Sequence, residues 1–380
     1  VVVIDPHMTR RMWVGMPQGL FHSQDGGATW LPVALAGEAN SVSIVALDPL
    51  NENTIYSNAG LRWILKSVDG GNNWTRLNDT GGEGIVLAIA IHPTDPKRLY
   101  LGMAQGLYRS LDGGDTWVAS NEGLVASEIR LVLDVPGTKD HLYAATRWGV
   151  YQTTDGGKTW TARNQGLANL DIVCLALDPV DPEHLFAATW EGEIYRSTDG
   201  GNNWSLAHAP PTPDWIGGQI TGMVVGWRKT ALEVPTILYV GTDGAGVWRS
   251  LDFGVSWEPL TIGLPDPRIG AIWLSPKGQQ QFVYVGAGKE VYRLPVSSDL
   301  AEMLLWRRVT AQPLDGRITS GLVEPGTRGY IVVATDSGGI YRGEADGEQW
   351  TNLASNWLPA NLRLEALAIA SPNKRVPLLY

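Results

Sequence analysis

Short apolar runs separated by turn residues fill the chain from one end to the other. Residues 86–122 show the unit. Val86-Leu87-Ala88-Ile89-Ala90-Ile91 reads as a buried strand and His92-Pro93-Thr94-Asp95-Pro96 as a turn. Arg98-Leu99-Tyr100-Leu101-Gly102 is a second strand, Gln105-Gly106 a second turn, and Leu107-Tyr108-Arg109-Ser110 a third strand. After one more turn, Thr116-Trp117-Val118-Ala119 opens a fourth. Strands this short and this regularly punctuated predict an all-β fold. No stretch holds a helical period. The first-strand run recurs around residues 2–4, 44–47, 129–133, 172–177, 220–225, 271–274, 318–323 and 366–370.

The turn before the fourth strand carries the clearest signal. Ser67-Val68-Asp69-Gly70-Gly71-Asn72-Asn73-Trp74 has counterparts starting at Ser23, Ser110, Thr153, Ser197 and Ser250. All six fit [ST]-x-D-x-G-x-x-W, and the first five follow one another at 44, 43, 43 and 44 residues. Eroded copies end at Trp306 and Trp350. A period near 40–45 residues suggests four-stranded propeller blades. The chemistry is that of a stapled turn. The carboxylates of Asp25, Asp69, Asp112, Asp155, Asp199 and Asp252 can accept backbone N–H groups, and the glycines supply positive φ. Trp30, Trp74, Trp117, Trp160, Trp204 and Trp257 are apolar plugs for the neighbouring unit. One Asp per turn, with no second carboxylate beside it, cannot assemble the oxygen shell of a calcium site.

This motif resembles the Asp box, or BNR repeat, of sialidases, xyloglucanases, sortilin-type receptors and the photosystem II assembly factor. The resemblance covers nearly the whole chain. It implies a β-propeller of four-stranded antiparallel blades, about eight of them, with the boxes at blade edges away from the functional site. It says little about function, since one fold hosts unrelated activities. The expected organisation is a single propeller over residues 1–380, with eight repeats in 1–352 and a partial ninth in 365–380. That remnant either adds strands to ring closure or belongs to a longer propeller, as in sortilin-type rings.

Composition narrows the classes. The chain has 380 residues with Gly 45, Trp 17 and Phe 4, which suits short strands and tight turns. A net charge of −10 argues against a nucleic-acid or anionic-membrane surface. Cys174 is the single cysteine, so neither an internal disulfide nor a cysteine metal cluster is possible. No apolar run is long enough to span a bilayer as a helix. The chain begins at Val1 without Met, and the truncated look of both termini suggests a processed or partial chain that belongs to a larger assembly. No cofactor is implied.

In an up-and-down blade the repeat turn shares one end with the turn after the first strand. The turn after the second strand and the inter-blade loops lie at the opposite end, where propeller ligands usually bind. Those positions carry Arg62, Trp63, Arg147, Trp148, Trp190, Glu191, Asp243 and Asp336, and the inter-blade loops add Trp215, Asp266, Arg268, Asp315, Arg317 and Trp357. Tryptophan beside arginine is hot-spot chemistry for a protein partner, and aromatic platforms also suit sugars. The plainer reading is that these rings cover the ends of the inner strands. Asp243 and Asp336 occupy equivalent turns, Gly241-Thr242-Asp243-Gly244 and Ala334-Thr335-Asp336-Ser337, so they are the pair to consider for a carboxylate mechanism. Their plainer reading is turn capping.

The enzyme signatures are thin. The Arg-Ile-Pro stretch that sialidases place before the first box is missing; Arg268-Ile269-Gly270 and Arg317-Ile318-Thr319 come nearest. A xyloglucanase-like inverting site needs two carboxylates ~6.5–9.5 Å apart across a cleft, and only one propeller's worth of repeats is present. His92, His141 and His184 recur one per unit, so they do not predict a shared metal site. The reading favoured by sequence is a non-enzymatic binding scaffold for a protein or glycan, on the face opposite the boxes, working outside the cytoplasm. A glycoside hydrolase is the first alternative and an assembly factor for a membrane complex the second.

Overall fold

The computed structural model describes residues 1–5, 8, 10–35, 41–77, 85–92, 94–103, 106–125, 129–135, 138, 140–178, 181–208, 219–226, 237–275, 281–296, 305–324, 329–344, 349–353 and 367–369. All regular structure among them is β-strand, in eight antiparallel sheets. Each sheet takes four consecutive strands, so the fold is all-β, eight four-stranded blades of the propeller kind. Two compact units divide them, Val1–Arg163 with Ala368–Tyr380, and Asn164–Leu367. Blades 1–4 lie in the first and blades 5–8 in the second. The strand Leu367–Ile369, which starts the ninth sequence repeat, lies beside Val2–Ile4 as a fifth strand of the first sheet.

Blade 4 shows how the pattern becomes structure. Leu142–Thr146 and Gly149–Thr153 form a tight hairpin in which Leu142 faces Thr153 and Thr146 faces Gly149. Both strands are buried throughout, and Leu142, Ala144 and Tyr151 pack with Tyr100 and Leu107 of blade 3. Ile129–Asp134 alternates buried and half-buried positions, with Ile129, Leu131 and Leu133 facing inward. The last strand, Thr161–Ala162, is short and exposed. An edge of two residues leaves little template for unwanted pairing.

The repeat turns close as a staple. In the first, the Gly27 N–H donates to Ser23 Oγ at 2.8 Å and the Ser23 hydroxyl donates to Asp25 Oδ1 at 2.8 Å. Thr29 donates its N–H to Oδ1 at 2.9 Å and its hydroxyl to Oδ2 at 2.6 Å. Asn73 replaces Thr in blade 2 and donates through N–H and Nδ2 to Asp69 at 2.9 and 2.7 Å. Thr29's bonds hold the Asp25 carboxyl down at about 2, and Asn73's hold Asp69 there as well.

In blades 3, 4 and 6 the turn is also where the preceding blade docks. Tyr56 and Lys66 of blade 2 both donate to the Gly113 carbonyl in the blade 3 turn, at 3.0 and 2.8 Å. Tyr100 of blade 3 donates to the Gly156 carbonyl of blade 4 at 3.1 Å. Arg196 of blade 5 reaches the Phe253 carbonyl of blade 6 at 2.9 Å. Phe253 stands where the other turns have glycine and keeps the left-handed conformation, φ 61°. Its ring packs on His184 and Phe186, with centroids 4.4 and 4.6 Å away. The tryptophans complete the joints: Trp74, Trp160 and Trp204 are buried, and Trp306 donates its indole N–H to the Leu260 carbonyl of the previous blade at 2.9 Å.

One residue breaks the register. The N–H of the turn residue after each first strand bonds the carbonyl just ahead of the second strand, and Asp5, Asp48, His92, Val135 and Asp178 share that place. The preceding residue is therefore Ile4, Leu47, Ile91 or Leu177 in blades 1, 2, 3 and 5, but Asp134 in blade 4. Its Oδ1 is buried without a hydrogen-bond partner among the described residues. Desolvation pushes the carboxyl up to about 7 even though Arg98 opposes the shift.

Candidate functional site

The blade end opposite the repeat turns holds most of the side chains singled out by sequence. In the first unit, Thr146 shapes the blade 4 hairpin: its hydroxyl donates to the Gly149 carbonyl and accepts the Trp148 N–H, both at 2.9 Å. Gly149 takes φ 107°, a conformation other residues rarely adopt, which lets the hairpin turn tightly at Arg147-Trp148. It presents Trp148 with 57% of its surface exposed and Arg147 exposed beside it. Trp63, at the matching hairpin of blade 2, behaves differently. It begins the third strand, packs on the blade 1–2 core, and has the Arg76 guanidinium 3.0 Å above its ring. Arg62 lies farther off, at 5.8 Å, and is exposed.

In the second unit, the blade 5 hairpin presents Trp190 with 56% exposure and Glu191 exposed next to it. The Trp190 N–H is held by the Asp171 carbonyl at 2.9 Å. Trp215 and Trp357 lie outside the described residues.

Asp243 and Asp336 are brought to one residue. Arg317 donates through Nη2 to Asp243 Oδ1 at 2.9 Å, and its backbone N–H donates to Asp336 Oδ1 at 2.8 Å. Asp266 and Arg268 stand alongside as a bidentate pair, and Asp243 also bridges Arg268 through the backbone. Arg268 holds the Asp266 carboxyl below the usual range. The sequence named all of these positions. It gave no sign that an arginine 74 residues away would pair with Asp243, or that Arg76 would cover Trp63, because both contacts join separate repeats or outer strands.

The remaining candidates have structural occupations. His92 Nδ1 accepts the Asp95 N–H at 3.1 Å, capping the turn where other blades use Asp. Cys174 sits in the first strand of blade 5, and burial pushes its thiol up to about 11. Among the described residues no group of three His, Cys, Asp or Glu side chains is placed to hold a metal ion. No helix of the described residues is long and apolar enough to cross a membrane.

No protein-family model matches the chain. Three curated sequences do, two of them xyloglucanase Xgh74A. Xyloglucanase Xgh74A of Acetivibrio thermocellus is 28% identical over 183 residues, covering 42% of this chain and 21% of that protein. A xyloglucanase of a Paenibacillus species is 26% identical over 193 residues, covering 43% and 18%. The match thus spans about a fifth of the length of either relative. Among solved structures, the Dos1 propeller aligns with a TM-score of 0.64 at 12% identity, over 92% of each chain. YCF48 bound to D1 peptide aligns at 0.51 and 18%, over 78% of this chain and 92% of the other. At such identities the structural likeness speaks for the fold alone.

Proposed function

We propose that this chain is the glycan-holding propeller of a glycoside hydrolase, acting on a neutral polysaccharide of the xyloglucan class. The observation that carries the reading is an indole offered to solvent in each unit, Trp148 on the blade 4 hairpin and Trp190 on the blade 5 turn. Trp148 and Trp190 are each more than half exposed, and an exposed indole offers a flat apolar face on which a sugar ring can stack. The two xyloglucanases supply the substrate class. Asp243 and Asp336 are the carboxylates to test for turnover, since glycosidic cleavage needs a pair. A polysaccharide substrate puts the work outside the cytoplasm. This reading moves away from the binding scaffold that sequence favoured, because the curated relatives are hydrolases.

The test is affinity electrophoresis through a gel containing xyloglucan. The wild-type chain should be retarded, and a Trp148→Ala, Trp190→Ala double variant should run free. Equal migration with and without the polysaccharide would sink the proposal. A protein recovered from an envelope fraction by the wild type and lost by the same variant would instead favour the hot-spot reading of Trp148 beside Arg147.

A further inference from the structure

Blades 7 and 8 open their first strands with the same tetrad, Asp266-Pro267-Arg268-Ile269 and Asp315-Gly316-Arg317-Ile318. The two arginines end in different places. Arg268 folds back on its own aspartate, donating from Nε and Nη2 to the two oxygens of Asp266 at 2.9 and 2.8 Å. That fork is closed. Arg317 finds its own aspartate occupied: Asp315 accepts the Thr335 hydroxyl at 2.9 Å and the Tyr341 hydroxyl as well. The side chain reaches back to Asp243 of blade 6 instead.

The result is a half-used pair. Arg317 commits one Nη2–H to Asp243 Oδ1 at 2.9 Å. Its Nε and Nη1, and the second oxygen of Asp243, have no hydrogen-bond partner among the described residues, although Arg268 and Asp266 lie close enough to act on the pair through charge. The two side chains remain 39% and 45% exposed. The main chain beneath is nonetheless fixed, since Asp336 holds the Arg317 N–H at 2.8 Å and the Asp243 backbone bridges Arg268. A single exposed ion pair contributes little to folding, so either group can share its free donors or acceptor with a ligand at small cost.

We infer that the Asp243–Arg317 couple is a hydroxyl-binding site for a neutral glycan. The inference rests on the glycan reading above and adds a specific contact to it. A guanidinium edge offers two N–H donors and the neighbouring carboxylate one acceptor. Adjacent hydroxyls on a sugar ring present that same mixture of acceptor and donor. The surroundings set the charge of the ligand. Asp243, Asp266, Glu290, Asp315 and Asp336 outnumber Arg268, Arg317 and Lys289 around these turns, so a uronate would be repelled and an uncharged sugar would not.

The experiment is calorimetric titration of the full chain with a neutral xyloglucan oligosaccharide. Wild type is compared with Arg317→Met, Asp243→Asn and the control Arg308→Met, whose guanidinium pairs with Glu290 at 3.0 Å on the outer strand of blade 7. Loss of charge-assisted hydrogen bonds should weaken binding at least ~10-fold in the first two variants. The control should bind like wild type, and all four thermal midpoints should agree within ~2 °C. Wild-type binding that persists unchanged in Arg317→Met and Asp243→Asn overturns this site and leaves the glycan reading standing. Absence of wild-type binding overturns both.

Discussion

Asp134 offers the sharpest physical test of the fold. Replacing it with leucine restores the residue type that Ile4, Leu47, Ile91 and Leu177 supply at this point in other blades. The wild-type carboxyl rises from 3.8 to about 7 because burial penalises its charge. At ~1.36 kcal/mol per pH unit, that gap is worth roughly 4 kcal/mol. The side chain is half-buried, not sealed, so ~2 kcal/mol is the working figure. The sign follows from linkage. A group whose folded pKa is raised contributes its full stability below the unfolded value, and loses it as pH climbs through the folded one. The stability gap between Asp134→Leu and wild type should therefore open between pH 4 and pH 7 and stay flat above. In a cooperative unit the size of the first one, that is ~4–8 °C in thermal midpoint. Near-ultraviolet circular dichroism melts at pH 4, 6 and 8 would measure it. A gap that is the same at pH 4 and pH 8, or a variant less stable than wild type at pH 8, would refute the reasoning.

Two further expectations concern the repeat turns. Gly71 has φ +91°, and a β-carbon there would run into the Trp13 ring, so Gly71→Ala should destabilise the first unit by ~2 kcal/mol or more, read from denaturant midpoints. The repeat-turn carboxylates have the opposite linkage to Asp134. Asp25 and Asp69 are held at about 2 in the fold, so their contribution is intact above pH ~4 and fades as pH falls toward 2; urea midpoints should drop across that window, and less steeply in Asp69→Asn.

What sequence revealed and what it hid follow from range. The repeat turn is self-contained: Ser23, Asp25, Gly27 and Thr29 satisfy one another within seven residues, so their spacing alone specified the turn and, by its period, the blades. Trp148 and Trp190 were legible for the same reason, since a two-residue hairpin after Thr146, or a tight turn after Thr189, leaves the indole nowhere to go but outward. Trp63 sits on a similar hairpin, yet Arg76 on the outermost strand covers it, and no local pattern announces that contact. Asp134 was hidden by one residue of register. Leu133-Asp134-Val135-Pro136 looks like the Leu-Asp-Pro turns of blades 2 and 5, but Val135 takes the turn position and Asp134 is drawn into the strand. Arg317 was visible as an inter-blade arginine, while its choice of Asp243 over Asp315 depends on Thr335 and Tyr341 claiming Asp315 first.

The measurement that bears most directly on the glycan reading is the indole N–H region of proton–nitrogen correlation spectra during titration with a xyloglucan oligosaccharide. The signals of Trp148 and Trp190 would be assigned from single Trp→Phe variants. Both should shift progressively and saturably, while buried indoles such as Trp160 and Trp204 stay in place. Signals from Trp148 and Trp190 that do not move at saturating oligosaccharide would contradict the account.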